Sequence, residues 1–297
     1  MQNILSLQSE DAWAAIRKLT IAKPSIVDSL EDIIAGSAWD LWETFHADNP
    51  FAVDFITQFY ETNNSGAAVL ILDALSLREL PELAKQAESR EFCLLESGVL
   101  ATVLPADTTT FAKALGFDSR SDLEKGKMSK LLPNVYTFSS ELPFFDCEIK
   151  PEVKIMYWHH FPDSILHNAK NLVTFNEKLK TQLTSDDFWQ FVNKLLQGRT
   201  LLITSDHGYA DTTNFSYIEN NSQGNAMKQI YGQQRFKPIN NTSTNLIQSI
   251  PPLELQLGNY RYTLGRRKWR VSGGYPCLQH SGLTLMECFT PYIILTK

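Results

Sequence analysis

Six histidines occur in the 297 residues, and three of them fall in one stretch, HHFPDSILH at 159–167. Asp163 and His167 stand four apart. If Asp163 opens a helical turn, its carboxylate and the imidazole lie on one face and converge on a point that suits a metal ion. A D-x-x-x-H pattern arises by chance about once in three chains of this length, so other residues must support it. Four more places carry the same chemistry: Asp73 after AAVLIL, a threonine run in LPADTTTF, Asp206-His207 in TSDHG, and His280 near the end. In order, Asp73, Thr108, Asp163, His167, Asp206, His207 and His280 offer carboxylates, imidazoles and one hydroxyl. Carboxylates and imidazoles of this kind suit a divalent metal ion.

Asp206 and His207 are neighbours, and neighbours on a regular strand face opposite ways. They can share an ion only where the strand breaks, and Gly208 stands where that break is expected. Thr108, Thr109 and Thr110 are consecutive, and their ordinary role before FAKALG is helix capping. His159 and His160 are expected to pack in the core or to support their neighbours rather than to ligate. His46 is read as structural.

These residues must be carried to one place, and the elements that do so are legible. AAVLILDAL is a short continuous apolar run bounded by turn residues, the pattern of a strand buried on both faces. Similar runs are EFCLLES, VKIMYWHHF, RTLLITSDHG and PYIILT, separated by helical patterns such as LRELPELAKQAES and DDFWQFVNKLLQG. Alternation of this kind predicts an α/β fold, a three-layer sandwich with a mainly parallel central sheet. In such sheets ligands bind beyond the carboxyl ends of the strands, where Asp73, the HHFPDSILH stretch and Asp206-His207 would meet.

Residues 1–62 read as a helical N-terminal extension, interrupted at Lys23-Pro24 and Asn49-Pro50, and 63–297 as the α/β domain. Residues 210–252 are rich in Asn, Gln, Ser and Thr and look too polar to build a core. They are either a solvated excursion or a lid over the site.

The bulk numbers set limits. A net charge of −6 argues against an overall basic nucleic-acid binder, though it leaves a local cleft open. No apolar run approaches the ~18 residues of a membrane span, and the N-terminus has acidic residues where a signal peptide carries positive charge. A cytoplasmic protein without membrane attachment is expected. The four cysteines lack C-x-x-C pairing and are expected as buried free thiols. The densest positive run holds Arg261, Arg266, Arg267, Lys268 and Arg270. It is either a solvated strand surface or a contact for a phosphodiester backbone, with Arg266, Arg267 and Lys268 as the candidates.

The order of the candidate ligands resembles the two-metal site of the alkaline phosphatase superfamily. Within it, ILDALSLRELPEL, LPADTTTFAKALG, TSDHGY, YTLGRRKW and QHSGLTLMECFTPYIIL are similar to the PglZ domain, with Ser281 where that family has a first glycine after its histidine. The likeness spans roughly residues 65–297. It implies a first metal on Asp163, His167 and His280, a second on Asp73, Asp206 and His207, and Thr108 between them as nucleophile, three residues after Pro105, with Thr109 as the alternative. Zinc suits the mixed nitrogen and oxygen donors, and manganese is the alternative. Three carboxylates and two divalent ions leave a net charge of about +1, which draws in a phosphoryl group.

The expected activity is hydrolysis of phosphate esters, with phosphodiesters of nucleotides or oligonucleotides preferred on the strength of the resemblance. A phosphomonoesterase is the alternative, or a non-catalytic, metal-stabilised module of a phage-exclusion or signalling system. A sulfatase is disfavoured because no C/S-x-P-x-R motif occurs. The helical extension is a candidate surface for a protein partner.

Overall fold

A computed structural model describes residues 8–23, 26–124, 129–239 and 246–297. The first seven residues of the expected extension, Pro24, and 240–245 of the polar segment lie outside the described residues. The chain divides into two compact units, each built from two stretches: Met1–Asn49 with Tyr209–Cys288, and Pro50–Gly208 with Phe289–Lys297.

The second unit holds a six-stranded sheet. Its strands, in chain order, are β1 (Ala67–Leu72), β2 (Cys93–Ala101), β3 (Tyr136–Ser140), β4 (Lys154–His159), β5 (Thr200–Thr204) and β6 (Phe289–Thr296). They lie side by side as β2-β6-β5-β1-β4-β3. Five run in one direction, and β6 runs antiparallel to both its neighbours. The fold is therefore mixed α/β with a mainly parallel central sheet.

β1 explains why the sheet has two covered faces. All six of its side chains are fully buried, as a continuous apolar run in a parallel sheet requires. Ala67, Val69 and Ile71 belong to a cluster with Ile56, Phe111 and Trp158, while Ala68, Leu70 and Leu72 point the opposite way and are equally buried. The helix Ala52–Thr62 places Ala52, Val53, Ile56, Phe59 and Tyr60 on its buried stripe. Tyr60 donates from its hydroxyl to the Ile155 carbonyl at 2.6 Å, which locks the helix to β4. The turn before β1 is fixed by close approach, since a Cβ at Gly66 would collide with the Gly198 carbonyl.

The expected 1–62 extension is divided between the units, because its last helix, Ala52–Thr62, is part of the sheet's packing. In the first unit Trp13, Trp42 and Phe45 meet pairwise with ring centroids 5.3 Å apart.

The polar segment departs from expectation. It forms a helix, Asn221–Tyr231, capped by the Asn220 side chain, and a strand, Phe236–Pro238, which pairs with Tyr260–Thr263. Its few apolar residues are sufficient for a core: Met227 and Tyr231, four apart on one helix face, pack with Leu253 and Trp269. Two buried ion pairs, Arg235 with Glu287 and Arg261 with Glu254, complete this region.

All four cysteines are free thiols, but Cys93 is exposed at the start of edge strand β2, and Cys277 is partly exposed. No described helix is long and apolar enough to cross a membrane.

His159, the last residue of β4, is a neutral core histidine by geometry. Its Nδ1 accepts from the Phe161 N–H at 3.0 Å, its Nε2–H donates to the Leu142 carbonyl at 2.9 Å, and the ring stacks on Phe144. Burial pushes its pKa down to about 4. The folded state therefore binds fewer protons than the unfolded chain between that value and the usual 6.5, and stability falls as pH drops through this window. Urea unfolding is expected to show a loss approaching about 3 kcal/mol between pH 7 and pH 4 that disappears in His159→Phe.

Candidate metal centre

The register of three adjacent strands brings the acidic residues together. Leu72 of β1 is level with His159 of β4, and Ile71 with Thr204 of β5. The residues that follow each strand end therefore emerge at one edge. Asp73 donates its N–H to the His159 carbonyl, and Asp163 donates its own to the Asp73 carbonyl, both at 3.0 Å. Ala74 takes a left-handed φ of 62°, uncommon for a residue with a Cβ, and so aims its N–H at Asp206 Oδ1, 3.0 Å away.

β5 ends at Thr204 and the chain bends at Asp206, so the break needed for Asp206 and His207 to share a ligand is present. Gly208 has no positive φ. The bend is held instead by Ser205, whose hydroxyl donates to the His207 carbonyl at 2.7 Å, and by Thr102, whose hydroxyl donates to the Asp206 carbonyl.

Asp73, Asp206 and His207 are fully buried, and each offers a ligand atom within 4.8 Å of the others. His207 Nε2 lies 3.5 Å from both Asp73 Oδ1 and Asp206 Oδ2. Burial, followed by the charges of Asp206 and Asp163, pushes the Asp73 carboxyl well above the usual carboxylate range, against the pull of Arg120. Asp206 Oδ2 is buried and accepts no hydrogen bond. A buried carboxylate oxygen without a donor is costly. The donor set of two carboxylates and one imidazole, one oxygen unsatisfied, fits a divalent ion.

Thr108 stands beside this group. It is the first residue of the helix Thr108–Ala114, and the capping role belongs to Asp107, whose carboxylate accepts from the Thr110 N–H at 2.7 Å. The Thr108 hydroxyl is left to face the cluster, 3.3 Å from Asp73 Oδ1 and 3.5 Å from His207 Nε2.

The remaining candidates are placed as follows. Asp163 opens a short helix, and His167 Nε2 lies 3.3 Å from its Oδ1, a contact with the carboxylate that pulls the imidazole pKa up. Its side chain 62% exposed, His167 belongs to no group of three ligand atoms among the described residues. His280 lies in the other unit, after the strand Leu278–Gln279, with Nδ1 2.7 Å from Ser281 Oγ. Arg266 is ringed by Asp28, Glu31 and Asp32. Lys268 donates to the carbonyls of Thr212 and Thr213. Arg267 forms a two-residue strand with Lys268, paired with Ser216–Tyr217. Arg266 and Lys268 thus have structural partners within their own unit.

One residue escaped the sequence reading. Arg120, in the turn before the helix Ser121–Glu124, pairs through Nη1 with Asp73 Oδ2. FDSRSDLE reads as an ordinary polar loop, and nothing in its spacing links Arg120 to Asp73.

No family profile matches the chain, and no curated protein does. Among solved structures, murine ectonucleotide pyrophosphatase/phosphodiesterase 5 is similar at a TM-score of 0.42 and 9% identity, over 78% of this chain and 88% of that one. An inactive form of the same protein in complex with AMP gives 0.38 and 10% over the same shares.

Substituting Asp206→Asn removes a charge from a crowded site while keeping an oxygen for the Ala74 N–H. The metal-free variant is expected to melt about 2–4 °C above the wild type, and zinc should raise its melting temperature by clearly less than it raises that of the wild type. Equal zinc shifts in the two proteins would contradict the assignment of Asp206 as a ligand.

Proposed function

We propose that the protein is a metal-dependent phosphoric ester hydrolase that uses Thr108 as nucleophile and two divalent ions. The observation that carries this reading is the Thr108 hydroxyl within 3.3 Å of Asp73 and 3.5 Å of His207, in a buried group of acids with an unsatisfied oxygen.

Asp73, Asp206 and His207 hold one ion. Asp163, His167 and His280 would hold the other, an assignment that rests on the sequence resemblance alone, because His167 joins no group of three ligand atoms among the described residues. Zinc, or manganese in its place, supplies positive charge that lowers the pKa of a nearby hydroxyl and offsets charge on phosphoryl oxygens.

Thr108 Oγ1 attacks phosphorus, and the bond from phosphorus to the departing ester oxygen breaks. The departing oxygen leaves as an alcohol after taking up a proton. Threonine stays joined to the remaining phosphoryl group until water cleaves the Oγ1–P bond, which regenerates the hydroxyl. Burial of Asp73 and His207 keeps bulk water from this edge, and the Asp107 cap fixes the rotation of the helix that carries Thr108.

Phosphodiesters of nucleotides or oligonucleotides are the substrate class, on the similarity to PglZ domains. The basic run at Arg266–Lys268 lends this no support, because Arg266 and Lys268 are engaged elsewhere.

The test is release of p-nitrophenol from the bis ester and the monoester of phosphate, with zinc or manganese added. EDTA-sensitive cleavage of the diester is expected. Thr108→Ala should lose about a thousand-fold or more in turnover while keeping the zinc-induced rise in melting temperature, and Thr109→Ala should stay near wild type. A Thr108→Ala protein as active as the wild type would refute the nucleophile. Cleavage of the monoester alone would overturn the diester preference.

A further inference from the structure

We propose that Arg120 is a built-in counter-cation: it occupies Asp73 while the site is free of metal and must yield that carboxylate to the incoming ion. The inference rests on the metal-centre reading above and adds a residue that competes for one of its ligands.

The geometry is specific. Asp73 is completely buried, and its two oxygens are divided between partners: Oδ1 faces Thr108 and His207, and Oδ2 faces the Arg120 guanidinium.

Arg120 itself is suited to moving. Its side chain is 25% exposed, whereas that of Asp73 is 0% exposed. The backbone around it is tied down separately: the Asp118 N–H donates to Asp122 Oδ2 at 3.1 Å, and the hydroxyls of Ser119 and Ser121 meet at 2.8 Å. The turn is thus held by contacts that do not involve the Arg120 side chain. A divalent ion beside Asp73 Oδ1 brings two positive charges against the guanidinium on Oδ2, and their mutual repulsion is what drives the guanidinium off. The displaced guanidinium, tethered at the same edge and shaped to bind two oxygens at once, is then available to an anionic phosphoryl group.

Competition has a thermodynamic signature that a passive structural role lacks. Calorimetric titration with zinc is expected to show Arg120→Gln binding at least about ten-fold tighter than the wild type, because no internal cation has to be displaced. Arg120→Lys, which keeps the charge, should stay close to wild type. The metal-free Arg120→Gln protein should melt below the wild type, and saturating zinc should close most of that gap. In the wild type, the Nε–H signal of 15N-labelled Arg120 should shift and sharpen when zinc is added, a readout that does not depend on any variant folding.

Equal or weaker zinc binding by Arg120→Gln, or an Arg120 signal unmoved at zinc saturation, would overturn the inference while leaving the hydrolase reading intact. No zinc or manganese binding by either the wild type or Arg120→Gln would overturn both.

Discussion

Three carboxylates held at the carboxyl end of one sheet against their mutual repulsion are the constraint on which this structure depends. Asp73, Asp163 and Asp206 follow the ends of β1, β4 and β5, which lie next to one another in the sheet. Parallel strands in register deliver their carboxyl ends to the same side, so a short excursion after each strand is enough to gather the acids. Repulsion would scatter them if they sat on free loops. Backbone hydrogen bonds prevent this, with Asp163 N–H donating to the Asp73 carbonyl and Ala74 N–H to the Asp206 carboxylate.

The scaffold supplies the rigidity that such a site requires. β1 is buried on both faces, and the side chains around it leave Asp73 little room to move away from its neighbours. Ala74 in a left-handed conformation carries backbone strain next to the site, and strain of this kind persists only where the surroundings over-determine it. The same packing keeps Thr108 in place, because Phe111 and Ala112 of its helix are core residues. Stability invested in the sheet is thus opposed by electrostatic tension at its edge, which a cation relieves.

Much of this was legible in the sequence, for reasons that differ from residue to residue. A fully buried parallel strand must be apolar throughout, so AAVLIL, MYW and LLIT announced themselves, and an acid at the end of such a run stands out. The threonine beside the acids was found through spacing from Pro105. The strand Tyr136–Ser140 was missed because YTFSS, at the sheet edge, carries only one fully buried side chain. The contribution of the polar 210–252 segment to a core is not legible because composition averages over residues, whereas a helix needs only Met227 and Tyr231 on one face to dock. Arg120 was invisible because an ion pair spanning 47 positions leaves no local pattern.

The most direct measurement is an anomalous difference map at the zinc edge from crystals of the zinc-loaded protein. The account predicts a peak bonded to Asp73, Asp206 and His207, adjacent to the Thr108 hydroxyl. Zinc bound elsewhere, with those three residues untouched, would contradict it.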